Sequence, residues 1–159
     1  MKATAQPDIA VNRKAPRDYH ILERFEAGVE LRGTEVKSIR LGRVNISDAF
    51  ARVEKGQVWL YGCDVQAYEK ASWEQHEPRR SRRLLLHKNE ILKLIGYTHL
   101  KGLSLPVLRA YWKNRRVKLE IGVGRGKDQG DKRQDLKAKA ENREAQREVA
   151  RFNEKHAGR

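Results

Sequence analysis

Between Val117 and Val123 apolar and polar residues alternate without a break: Val117, Leu119, Ile121 and Val123 fall on one side, Lys118, Glu120 and Gly122 on the other. A period of two marks a half-buried β-strand and predicts that Lys118 stands on the solvent face. Shorter segments of the same kind recur upstream. Residues 19–31 carry Ile21, Phe25, Val29 and Leu31 with Gly28 inside, which predicts a long strand bent or bulged at the glycine. Residues 49–53 and 58–63 read as two strands joined by the turn Glu54-Lys55-Gly56-Gln57. Residues 103–112 read as another, with Pro106 placing it at an edge or a bulge. Helical signals are fewer. Thr34 can cap a short helix over 35–41, with Val36 and Ile39 inward and Gly42 at its end. Residues 84–95 pass from strand to helix, and Gly96 reads as the stop.

Five or so short strands with two helices predict a mainly β fold with flanking helices. A small antiparallel barrel of the oligonucleotide-binding (OB) type has this length and mixture, and parallel βαβ repeats would need more helices. The barrel is expected over residues 18–124. Residues 1–17, polar and interrupted by Pro7 and Pro16, read as a mobile lead-in. Residues 69–83 read as an irregular charged loop. After Gly124 the core-forming pattern stops, and residues 125–159 read as a basic tail whose large apolar residues are Leu136, Val149 and Phe152. So little apolar surface cannot offset the entropy of ordering the segment, so the tail is expected to be disordered when free and helical on a charged partner. Lys139, Arg143, Arg147, Arg151 and Lys155 recur every fourth residue and would form a basic ridge on that helix.

Charge narrows the function. The net charge is +14, of which residues 1–124 hold +10 and the tail +4, so the folded part is itself basic. A polyanion, above all nucleic acid, is the expected partner. The run Arg79-Arg80-Ser81-Arg82-Arg83 suits phosphate, because guanidinium offers planar bidentate contacts. Tyr61, Tyr68 and Trp73 are candidate stacking residues, whereas Trp59 and Trp112 sit inside strands and read as core.

Other chemistries find little support. The single cysteine, Cys63, excludes an intramolecular disulfide and a multi-cysteine zinc site. The five histidines form no i,i+4 pair, and Asp48, Asp64 and Glu69 are scattered, so neither a metal, a cofactor nor a catalytic set is expected. The string Gly122-Val-Gly124-Arg-Gly126-Lys127 lacks the spacing and hydroxyl of a P-loop and reads as a hinge. No apolar run approaches a membrane span, so a cytoplasmic, monomeric protein without membrane attachment is expected.

Several strings carry a resemblance: Asn12-Arg13-Lys14-Ala15, FEAGVELRGTEVKSIRLGRVNISDAF from Phe25 to Phe50, RLLLHKNEI from Arg83 to Ile91, and VKLEIGVGRGK followed by GDKR. Together, and in this order, the chain resembles the small protein B (SmpB) family, bacterial proteins that bind transfer-messenger RNA (tmRNA). The resemblance implies a six-stranded antiparallel OB-type barrel that grips the tRNA-like domain of tmRNA. It further implies a tail that folds as a helix in the vacant mRNA channel of a stalled ribosome, and delivery of alanyl-tmRNA with elongation factor Tu, without catalysis by the protein itself. By position it implies tmRNA contacts for Glu26, Leu85 and Lys118; on their charge, Arg13, Lys14, Arg82 and Arg83 are expected among the RNA-binding residues as well. The resemblance links Asp131, Lys132 and Arg133 to action on the ribosome, and the basic charge of the tail adds Lys127, Arg143, Arg147 and Arg151 to the expected ribosome contacts. For Leu85 a core position is equally compatible with the sequence, and for Glu26 a salt bridge to Arg24 or Arg32. A ribosomal or ribosome-assembly protein with a basic arm is the alternative reading.

Overall fold

A computed structural model describes residues 7–71 and 73–157. The chain divides into two compact units that meet between Gly126 and Lys127.

The first unit is built on β-strands β1 (Asp8–Val11), β2 (Tyr19–Val29), β3 (Val44–Asn45), β4 (Phe50–Glu54), β5 (Gln57–Tyr61), β6 (Asp64–Val65), β7 (Arg82–Leu85), β8 (Val107–Lys113) and β9 (Arg116–Gly126). Helices α1 (Ala15–Asp18), α2 (Gly33–Arg40) and α3 (Lys88–Ile95) flank them. The main sheet runs β1-β8-β9-β2-β7-β5-β4, antiparallel throughout, and β3 pairs with β6 separately. The sheet closes on itself. Ala51 N donates to Leu105 O at 2.7 Å and Val107 N to Ala49 O at 3.1 Å, so β4 is stitched to the segment that enters β8. Six strands thereby form a barrel, the antiparallel architecture expected, and closure covers the open edge that β4 would otherwise expose. Inward residues such as Val58, Leu60, Leu84, Val107, Leu119, Ile121 and Val123 are buried and form the core.

Several local expectations are corrected. The lead-in is not wholly free of structure: Asp8–Val11 lies along β8, and Asn12 anchors the turn that follows. The Asn12 amide donates to Val107 O at 2.8 Å and Ile46 O at 3.2 Å, while its carbonyl accepts from Lys14 N and Ala15 N. Polar composition hid a strand whose pairing is supplied by distant β8. The irregularity of β2 against β9 lies between Ile21 and Glu23, not at Gly28. Arg32, not Thr34, caps α2, its N–H bonding to Glu35 Oε1 at 3.0 Å. Gly96 does not stop α3; the helix continues as a π-turn over Gly96–Leu100. Gly122 and Gly124 lie within β9 rather than in a hinge, because a Cβ on either would press on Ile21 at 3.1–3.2 Å.

The second unit is α4 (Gln129–Ala157), a single helix. Leu136, Val149 and Phe152 are each more than half exposed. Asp131 stands in its first turn, where the helix dipole favours a carboxylate.

Candidate nucleic-acid interface

Alternation decides what the barrel shows to solvent. On β2 the outward residues include Arg24, Glu26 and Gly28, with Phe25 and Ala27 buried between them. Gly28 pairs with Leu85 of β7 on one side and with Lys118 of β9 on the other. A Cβ at Gly28 would lie 3.3 Å from Leu85 Cβ and 3.6 Å from Lys118 Nζ, so both side chains lean over the bare backbone of the glycine. Glu26 is the next outward residue on the same strand. Glu26, Leu85 and Lys118 are thus neighbours in one patch. Leu85 is 48 % exposed, which settles its place on the surface rather than in the core.

Glu26 does not pair with Arg24 or Arg32. Its carboxylate accepts the hydroxyl of Tyr111 and the Lys113 ammonium at 3.0 and 3.2 Å. Hydrogen bonding from Tyr111 is the chief reason its pKa lies below the usual carboxylate range; burial opposes this, and Lys113 and Lys118 add to it. Burial first, then the Glu26 contact, pushes the Tyr111 hydroxyl well above the ordinary phenol range. Glu120 stands opposite Glu26 across β2 and β9, a like-charge pair that would be unfavourable alone. Arg109 Nε at 2.6 Å and Arg24 Nη1 at 3.3 Å neutralise it. The patch is therefore a lattice of alternating charge with an apolar spot at Leu85. Tyr111 and Lys113 were missed in the sequence, although the outward series Arg109, Tyr111, Lys113 has the same period of two as Lys118 and Glu120.

The arginine run splits. Arg83 stays outward, its Nε 3.4 Å from Glu30. Arg82 is fully buried, which corrects its assignment to RNA contact. Alternation turns it inward, where its Nε pairs with Glu35, Nη1 donates to Cys63 O and Arg80 O, both at 3.0 Å, and Nη2 donates to Pro78 O at 3.1 Å. Arg80 donates to the same Glu35 carboxylate at 2.8 and 2.5 Å. Burial raises the Glu35 pKa, but the hydrogen bonds from Arg80, the Arg32 backbone and Arg82 outweigh it and leave it lowered. Two of four arginines thus close the 66–81 loop onto α2. His76 helps: its Nε2 faces the carbonyls of Val65 at 2.9 Å and Gln66 at 3.1 Å, and Nδ1 faces Thr34 Oγ1 at 2.8 Å.

Arg13 and Lys14 lie apart from the Glu26 patch, exposed on the turn that Asn12 holds; Lys14 Nζ is 3.4 Å from Asp48 and lines a cleft of about 550 Å³. In the second unit, Lys127 pairs with Asp135. Asp131, Lys132, Arg133, Arg143, Arg147 and Arg151 are all on α4. Trp59, read as core, lies on the outer face of β5, between the buried Val58 and Leu60. Trp112 does pack against the core. Among the described residues no cluster of His, Cys, Asp and Glu could hold a metal ion, and no helix is long and apolar enough to cross a membrane.

Comparison with known proteins bears on this surface. The family described as SmpB protein matches residues 9–151. The chain belongs to the SmpB family. The SsrA-binding protein of Carboxydothermus hydrogenoformans is 51 % identical over 147 residues, covering 92 % of this chain and 93 % of that protein. Those of Anoxybacillus flavithermus and Corynebacterium glutamicum are 53 % and 48 % identical over 143 residues, 90 % of this chain and 90 % and 87 % of theirs. Among solved structures, a chain from work described as "tmRNA-SmpB: a journey to the center of the bacterial ribosome" superposes with a TM-score of 0.63 at 45 % identity, over 76 % of this chain and 85 % of that one. The SmpB match spans the barrel and most of α4, so it includes both the Glu26–Leu85–Lys118 patch and the tail.

Proposed function

We propose that this protein binds tmRNA and serves trans-translation, gripping the tRNA-like domain with the barrel and helping to bring alanyl-tmRNA to stalled ribosomes. One observation carries the reading: Glu26, Leu85 and Lys118, distant in sequence, meet around Gly28 on the outer face of the barrel. Lys118 supplies a cation for phosphate, Leu85 an apolar spot for a ribose or base face, and Glu26 an acceptor for base amino groups or a 2′-hydroxyl. The fixed carboxylate matters because phosphate repels it; only an RNA that offers a donor at that point fits. Arg83 and the exposed pair Arg13–Lys14 add electrostatic contacts at the barrel surface, and counterion release from them strengthens binding at low salt.

The tail performs a separate task. In the free protein the α4 helix is marginal and frays, since Leu136, Val149 and Phe152 bury too little to hold some thirty residues in it. In the vacant mRNA channel, rRNA phosphates would screen Arg143, Arg147 and Arg151 from one another and let the helix form, with Asp131, Lys132 and Arg133 at its start. Ordering then happens only where the channel is empty, so stalled ribosomes are selected without reading a codon. The protein acts as a monomeric, cytoplasmic, non-catalytic adaptor that meets elongation factor Tu through alanyl-tmRNA. Sequencing the RNA that co-purifies with the protein from its own cells tests this: tmRNA should dominate. Stoichiometric rRNA without tmRNA would instead identify a ribosomal or assembly protein.

A further inference from the structure

Beyond Leu85 the outer face of the barrel continues across β7, β5 and β4, where Arg83 alone has so far been given an RNA contact. Cross-strand pairing sets Arg83 opposite Trp59 and Trp59 opposite Arg52, so one row reads arginine, tryptophan, arginine. The next row holds Tyr61 opposite Phe50, their rings stacked at 5.7 Å and 22°. Phe50 is 45 % exposed, an unusual position for a large apolar ring on a sheet surface. The two guanidiniums are held lightly. Arg83 meets Glu30 at 3.4 Å and Arg52 meets Glu54 at 3.6 Å, with side chains 43 % and 67 % exposed. Exposed pairs of this kind are weak and exchange readily for phosphate. Glu54 Oε1 also accepts the Tyr61 hydroxyl at 2.9 Å, so this carboxylate reaches back over the row beside Arg52 and must give the arginine up when phosphate binds.

We propose that the row Arg83–Trp59–Arg52, with the Phe50–Tyr61 pair beside it, is a second subsite that takes an unpaired nucleotide of the bound RNA. Its base stacks on the aromatic side chains and its flanking phosphates lie on the two arginines. Stacking platforms bracketed by cations are how proteins hold single-stranded RNA, since every base has a π-face and every linkage a charge. Position supports the assignment. Strands β9 and β5 are three strand spacings apart, about 14 Å; the Gly28–Leu85 patch lies between them, and Trp59 sits two residues along β5 from the point opposite Leu85. On the far side, Phe50 and Arg52 line the cleft of about 550 Å³ whose wall includes Lys14. The row therefore joins the Lys118 patch to the Arg13–Lys14 turn as one track. Paired RNA hides its base faces, so the subsite selects an RNA whose bases are splayed out at this point.

The subsite rests on the proposed RNA grip at Lys118, and the test separates the two. Full-length wild-type protein and the variants Trp59→Ala, Trp59→Phe, Arg52→Ala and Lys118→Ala are titrated with the tRNA-like domain of tmRNA over a salt series. Thermal melts of each protein accompany the titrations. The expected result is about tenfold weaker binding for Trp59→Ala, with most of it restored in Trp59→Phe. Arg52→Ala, on an exposed side chain that the fold does not need, should flatten the salt slope by about 0.7. Ultraviolet irradiation of the wild-type complex should link RNA to the peptide containing Trp59. An unchanged salt slope for Arg52→Ala together with no cross-link at Trp59 overturns the subsite, even where Trp59→Ala lowers stability. If those results come with weakened binding by Lys118→Ala, the subsite alone has failed. If Lys118→Ala binds as wild type, the grip itself has been placed wrongly.

Discussion

Tyr111 reaches across an entire strand to hold Glu26. The tyrosine is on β8 and the glutamate on β2, with β9 lying between them in the sheet, yet the phenol donates to the carboxylate. The Arg109 guanidinium packs over the same ring, 4.6 Å from its centre. The carboxylate is thereby aimed rather than left to sample the surface. Tyr111→Phe should keep the fold and leave the carboxylate to the flexible Lys113 ammonium alone. Expected is a loss of discrimination between the tRNA-like domain and an unrelated RNA duplex of equal length, by roughly ten- to a hundredfold for one charged hydrogen bond. The salt slope should not move, because no phosphate contact is removed. A slope change of a full unit would show that Tyr111 acts on charge instead.

Lys118→Ala and Glu26→Ala should differ in kind. The lysine variant is expected to bind all RNAs more weakly and to lose about one unit of salt slope. The glutamate variant should lose preference for the tRNA-like domain at an unchanged slope. A rise in specific affinity for Glu26→Ala would mean that the carboxylate merely repels phosphate.

Glu35 governs stability rather than binding. With its carboxylate and the Arg82 side chain both fully buried, Glu35→Ala strands a guanidinium in the core and should cost about 3–5 kcal/mol in a denaturant melt. The folded pKa is lowered, so the carboxylate contributes stability that is fully present above its unfolded value, about 4.3. That contribution disappears as pH falls through the lowered folded value. The melting temperature of the wild type should drop steeply below that range, and Glu35→Gln should flatten the drop. Equal acid sensitivity in the two proteins would place the titrating group elsewhere.

For the tail, truncation after Gly130 should leave binding to the tRNA-like domain nearly unchanged while peptide tagging on stalled ribosomes collapses. Circular dichroism of the free full-length protein should report less helix than the 29 residues of α4 would supply. A truncated protein that tags as well as the full chain would make the tail a solubilising appendage.

How far the sequence could be read depended on where each signal was stored. The alternation in 117–123 placed Lys118 outward because strand period is local. The fate of Arg82 was not local. Four arginines in five residues look alike in sequence, and only the pairing of β7 with β5, opposite buried Leu60, shows which one must turn inward to Glu35. Trp59 failed for the same reason in reverse: a tryptophan in a strand reads as core until the register fixes its face. Asp8–Val11 was overlooked because its partner β8 lies about a hundred residues away. The convergence of Glu26, Leu85 and Lys118 followed from register too, and before it the three were connected only by resemblance.

The closure of the barrel through Leu105–Val107 has a temporal meaning. β2, the third element made by the ribosome, finds its long partner only in β9, the last strand; β4 and β1 both wait for the segment around β8. The two seams that close the barrel, β2 on β9 and β4 on the entry to β8, thus join early chain to late chain, the arrangement that folds slowly. A growing copy of this protein has no Lys118 patch and no closed wall until β9 has left the exit tunnel. Until then it is a basic chain with unpaired strands, dependent on being finished. A factor that would serve unfinished translation cannot begin to act until its own has run through the last strand.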